Sequence, residues 1–145
     1  MATTFELTDF FESYAEALTN YDTKKMTLYY SLPCTFLSGE MATTFSEASK
    51  LEGLFNQGTG FYKQFGMVKA EAEVRHKRSI TDNIVQAKVR WKYMGADDAF
   101  FYDCDYEYLL KIDKHGDWKI EVVISINEKE QMETWLKEIK KPATK

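Results

Sequence analysis

Apolar side chains recur at Leu7, Phe10, Phe11, Tyr14 and Leu18, the spacing of one face of a helix. The pattern predicts a first helix from about Phe5 to Asn20, opened by a capping box of Thr3 with Glu6. Asp22 restarts the chain as an N-cap, and a second helix is expected over Thr23 to Ser31, with Met26, Tyr29 and Tyr30 facing inward. Pro33 ends it, and a short strand follows from Cys34 to Ser38. Thr44 with Glu47 reads as a second capping box, opening a helix that carries Leu51, Leu54 and Phe55. Gly58 and Gly60 are expected to interrupt that helix before Phe61, Tyr62 and Phe65.

From Met67 the period shortens to two. Val68, Ala70, Ala72, Val74 and His76 alternate with charged residues, as do Val85, Ala87, Val89, Trp91 and Tyr93. Tyr102, Cys104, Tyr106, Tyr108 and Leu110 form the next apolar row, with Asp103, Asp105 and Glu107 on the solvent side. A last strand sets Ile120, Val122, Ile124 and Ile126 inward against Lys119, Glu121, Val123 and Ser125. Strands with one apolar face fit an antiparallel sheet carrying helices on one side. Charge suggests the hairpin register. With Met94 opposite Ala99, Arg90 faces Asp103, Lys88 faces Asp105, Trp91 faces Tyr102 and Val89 faces Cys104. The chain closes on a helix over about residues 128–140, with Asn127 and Glu130 as its cap pair and Met132, Trp135, Leu136 and Ile139 as its stripe. Pro142 and the terminal lysines mark a frayed end.

The chain's 145 residues suit one domain with a single core. The fold class is therefore α+β, with the core at about residues 5–127. Aromatics make up 15% of the residues, so they supply much of the buried area. A net charge of −4, with basic and acidic residues interleaved, argues against a nucleic-acid partner. The acidic N-terminus does not read as a signal peptide, and no apolar run approaches a membrane span. Cys34 and Cys104 form no CxxC motif, so reduced thiols and a cytoplasmic location are expected. No metal-ligand spacing, phosphate loop or other cofactor motif is present, and no cofactor is expected.

Three segments carry a family likeness: SYAEALTNYD (Ser13 to Asp22), LYYSLPCTFLSG (Leu28 to Gly39) and GDWKIEVVISIN (Gly116 to Asn127). With the helix–helix–strand–helix–meander order, they resemble the nuclear-transport-factor-2-like superfamily, which includes SnoaL-like cyclases, ketosteroid isomerases and scytalone dehydratase. The resemblance implies a curved sheet wrapped around the N-terminal helices into a cone, the cystatin-like roll, with an apolar cavity at one end. The C-terminal helix is an addition to that plan. It also implies a homodimer.

Laid on the isomerase pattern, Tyr14 takes the place of the oxyanion-hole tyrosine and Ser38 that of the aspartate base. Serine is no base near neutral pH. Cys104, Tyr106 and Tyr108 stand where the second aspartate would be, so that chemistry is not supported. Dehydratase-like chemistry would need His76, with Asp22 or Glu40 as the nearest carboxylates by sequence. The candidate catalytic residues are thus His76 and Tyr14. The residues expected to line a ligand cavity are Tyr14, Phe36, Tyr62, His76, Trp91, Tyr93, Tyr102, Cys104 and Tyr106. Core filler explains any single tyrosine, but several on neighbouring strands point to a partly polar, aromatic-walled pocket. The expected function is binding of a small apolar or aromatic molecule. A cofactor-independent isomerase, dehydratase or cyclase on an aromatic or polyketide-like substrate and a dimeric protein-interaction module are the alternatives.

Overall fold

In the computed structural model, which describes residues 4–140, a six-stranded sheet lies against two longer helices. The Thr3 cap and the segment from Pro142 onward lie outside the described residues. The elements are α1 (Thr4–Thr19), α2 (Thr23–Thr27), β1 (Tyr30–Leu37), β2 (Ala42–Phe45), α3 (Ala48–Gln64), β3 (Lys69–Thr81), β4 (Ile84–Met94), β5 (Phe100–Ile112), β6 (Trp118–Ser125) and α4 (Glu128–Lys140). Sheet order is β2-β1-β6-β5-β4-β3. Every neighbouring pair is antiparallel except β1 with β6, which run parallel.

Burial explains why α1 forms where its periodicity places it. Leu7, Phe11, Tyr14 and Leu18 are buried, and the Phe11 ring packs 4.9 Å from that of Tyr108 on β5. The inward rows of β4 and β5 complete the core, with Val85, Val89 and Leu110 fully enclosed. No helix among the described residues is long and apolar enough to cross a membrane.

Several local expectations yield to tertiary pairing. Helix α2 stops at Thr27, because Tyr30 already pairs with Ile120 of β6 and Ile120 N–H donates to the Tyr29 carbonyl at 2.8 Å. Pro33 therefore sits inside β1, where the ladder to β6 is interrupted, a position that tolerates a missing N–H. Thr44 belongs to β2, an unexpected strand, where its hydroxyl meets that of Thr35 at 3.0 Å. Helix α3 begins at Ala48 without a side-chain cap and runs through Gly58 and Gly60. Burial of Leu51, Phe55 and Thr59 on one face outweighs the propensity cost of about 1 kcal/mol per glycine.

The β4–β5 hairpin is shifted by two residues from the expected register: Arg90 faces Asp105, Lys92 faces Asp103 and Trp91 faces Cys104. A turn with Asp97 and Asp98 at positive φ, plus a bulge after Tyr93, supplies the two extra positions. An even shift keeps every side chain on its face. Gly95 is needed in this turn, since a Cβ there would lie 2.7 Å from the Phe101 ring.

Odd insertions act differently. A bulge at Arg75 turns His76 to the outer face opposite Lys88, and Lys77 faces Ala87 in its place. A second bulge at Glu121 leaves Ile120 buried but puts Val123 inward and exposes Ile124. The expected inward phase of Ile124 and Ile126 is reversed.

Candidate functional site

Between the inner face of β4–β6 and the helices α1 and α3 lies a cavity of about 590 Å³, within the range of small-molecule sites. Tyr14, Phe36, Tyr62, Trp91, Tyr93 and Tyr106 line it. Tyr14 stands on α1, Phe36 on β1, Tyr62 on α3 and the rest on the inward rows of β4 and β5. Each row is aimed by strand alternation, and the rings lock one another. Tyr62 stacks on Tyr93 at 4.7 Å, and Trp91 meets Tyr14 edge-on at 5.6 Å. A hollow of about 790 Å³ between α1 and β3 is larger. Charged side chains such as Glu12, Glu16, Glu71 and Arg90 line it, and it lacks aromatic walls.

The polar end of the aromatic cavity is built around Glu128, the first residue of α4. Tyr62 donates its hydroxyl to Glu128 Oε2 at 2.6 Å and Tyr102 donates to the same oxygen at 2.8 Å. Tyr106 donates to Oε1. Burial, and next the Glu128 charge, pushes the Tyr62, Tyr102 and Tyr106 phenols above their ordinary value. They keep their protons at neutral pH and act as donors. Asn127, expected to cap α4, instead accepts the Asp105 N–H at 2.8 Å and pins the start of the helix to β5. Trp135 anchors the following turns, stacking on Phe101 at 4.6 Å and meeting Phe65 at 5.2 Å.

Three further phenols, those of Tyr14, Tyr30 and Tyr108, are also committed. The Tyr14 and Tyr30 hydroxyls share a 2.5 Å hydrogen bond, and Trp91 Nε1–H donates to Tyr108 at 2.8 Å. Among the described residues no buried side-chain nitrogen or oxygen lacks a partner. Desolvation raises Tyr14, Tyr30 and Tyr108, so none of them is a ready acid or base.

Three residues expected in the lining are not part of it. His76 is exposed on the outer face beside Arg78, Gln86, Lys88 and Glu107, because the Arg75 bulge reverses its strand. Cys104 is buried behind the lining, and desolvation raises its thiol well above the ordinary range. Tyr102 touches the site through its hydroxyl, not through the wall. Ser38 lies on the lining as a turn residue, accepting the Glu40 and Met41 N–H groups. Asp22 caps α2, accepting the Lys25 N–H at 3.1 Å, and Glu40 pairs with Lys129 at 2.7 Å. Neither carboxylate reaches a phenol. Asp103 and Asp105 lie on the face opposite the cavity, yet Asp105 is not solvated. Its side chain is 12% exposed in a two-bond pair with Arg90.

Chemically, the site offers apolar faces and one carboxylate held by three neutral donors. Glu128 escaped sequence reasoning because it reads as one charge among several opening a surface helix. The usable signal was indirect: Tyr102 and Tyr106, both inward on β5, needed an acceptor, and α4 starts directly after β6, the strand beside theirs.

Solved structures share the architecture. A cystatin-like-fold domain of unknown function from Nostoc punctiforme superposes with a TM-score of 0.70 at 16% identity, over 88% of this chain and 80% of that one. An NTF-2 like protein of unknown function from Shewanella oneidensis gives 0.69 at 11%, over 85% and 98%. A ketosteroid isomerase-like protein from Erwinia carotovora gives 0.60 at 11%, over 83% and 95%. Such identities show the fold alone. No curated protein matches the chain. The family model described as NTF2-like protein (DUF6841) matches residues 5–130, and the chain belongs to that family.

Proposed function

We propose that the protein binds a small, largely apolar molecule with an aromatic body in the cavity above Glu128. The observation that carries this reading is the meeting of aromatic walls from α1, α3, β1, β4 and β5 around one fixed carboxylate. Flat apolar ligands gain both buried area and ring contacts in such a space.

Thermal unfolding with a panel of bicyclic and tricyclic aromatic compounds tests it. A ligand at about one hundred times its dissociation constant adds about 2.7 kcal/mol of stability, read as a melting-temperature rise of several degrees. Leu54→Trp, on the cavity-facing side of α3, fills the space and is expected to abolish the shift. No shift with any compound, or equal shifts in that variant, would overturn the reading.

Glu128 also favours a second reading, cofactor-independent proton transfer on an enolisable aromatic ketone. The carboxylate would take a proton from the carbon beside the carbonyl and return it. Deuterium exchange into tetralone, followed by NMR, separates the two: exchange lost in Glu128→Gln supports catalysis, and no exchange in the wild type rules it out.

A further inference from the structure

We propose that the polar end of the cavity is a receptor for an organic cation, a protonated amine carried on an aromatic body. This deepens the binding reading above and rests on it.

Charge is the first reason. Glu128 accepts only neutral phenols, and among the described residues it forms no ion pair with any lysine, arginine or histidine. Lys129, its neighbour on the lining, directs its ammonium to both Glu40 oxygens at 2.7 and 2.9 Å, with 56% of its side chain exposed. It compensates Glu40. The Glu128 carboxylate is thus met by hydrogen bonds and by no positive charge of the described residues, which leaves the counter-charge to a ligand.

Hydrogen-bond capacity is the second. A carboxylate has about four acceptor positions. Oε2 uses two, for Tyr62 and Tyr102, whereas Oε1 receives only Tyr106. One acceptor position on Oε1 is left for a ligand N–H, beside a tyrosine that itself lines the cavity.

The walls are the third. Tyr62, Tyr93, Tyr106 and Trp91 line the same cavity, and an aromatic ring attracts a cation seated over its face within about 6 Å. Because the phenols hold their protons, these walls are neutral and do not compete with Glu128 as anions. A neutral alcohol would satisfy the acceptor yet leave the charge, and a carboxylate ligand would be repelled.

Calorimetric titration of the full chain with naphthylmethylamine, naphthylmethanol and naphthoate at neutral pH decides the matter. The amine is expected to bind about tenfold tighter than the alcohol, because it adds an ion-pair attraction to the hydrogen bond that both donate to the carboxylate. Naphthoate is expected to bind weakest. Glu128→Gln should bring the amine down to the affinity that the alcohol has for the same variant, and an amine preference that survives in it would overturn the cation receptor. If that variant fails to fold, the wild type still decides: amine affinity falls as alkali deprotonates the amine, whereas the alcohol's stays level. Alcohol binding as tight as amine binding overturns the cation receptor and leaves the pocket standing. No binding by any of the three compounds overturns both.

Discussion

Glu128 and its three tyrosines form a clamp whose parts come from distant stretches, separated by 66, 26 and 22 residues. Removing the carboxylate strands three donors that desolvation keeps protonated. Glu128→Ala is expected to cost about 2–3 kcal/mol in urea denaturation, against about 1 kcal/mol for Tyr102→Phe, which removes one donor and leaves the acceptor satisfied. A smaller loss in Glu128→Ala than in Tyr102→Phe would dismiss the clamp. Tyr102 and Tyr106 were legible because strand alternation aims them, whereas Tyr62 is aimed from helix α3. Their acceptor was not legible, because no local pattern marks a helix's first glutamate as inward-facing. His76 was misplaced for a related reason: its phase is right only until one extra residue enters upstream.

At the scale of elements, the two bulges decide which face each strand end presents. Neither Arg75 nor Glu121 carries the glycine that would advertise an irregularity. Each bulge leaves one residue unpaired in the ladder, and such a bulge bends its strand and increases the local twist. The hairpin register escaped for a different reason. Bases at 88, 90 and 92 and acids at 103, 105 and 107 repeat with period two, so a shift by two residues still pairs opposite charges. Helix α3 shows the weight of burial over propensity. At Gly60 an added Cβ meets open space, so Gly60→Ala is expected to stabilise the protein by about 0.5–1 kcal/mol. Thermal melting checks this, and a lowered melting temperature would show that the glycine serves packing.

For the whole molecule, the titrating groups set a stability plateau. Asp105 is held below the usual carboxylate range first by its hydrogen bond from Arg90, and Asp113 by the Asp117 backbone N–H. A depressed folded-state value contributes stability that is present above about pH 4 and lost as pH falls below it. Asp105→Asn is expected to flatten that acid limb. Tyr14, Tyr30, Tyr62, Tyr93, Tyr102, Tyr106 and Tyr108 are all raised, chiefly by desolvation. A raised value gives stability that is full below about pH 10 and lost above it. Alkaline titration should therefore show the tyrosinate absorbance of these groups only together with unfolding. Its full appearance near pH 10 in a folded chain would contradict their burial.

Hydrophobic period, read along the chain, determined the α+β class, the inward rows of β4 and β5, and most of the aromatic wall. These are local quantities: each follows from the neighbours within a turn or a strand. Tertiary structure alone decided the parallel β1–β6 pairing, the two reversed strand ends and the seat of Glu128. Each depends on chain segments far apart in sequence, where packing and the bend of the sheet outweigh local preference.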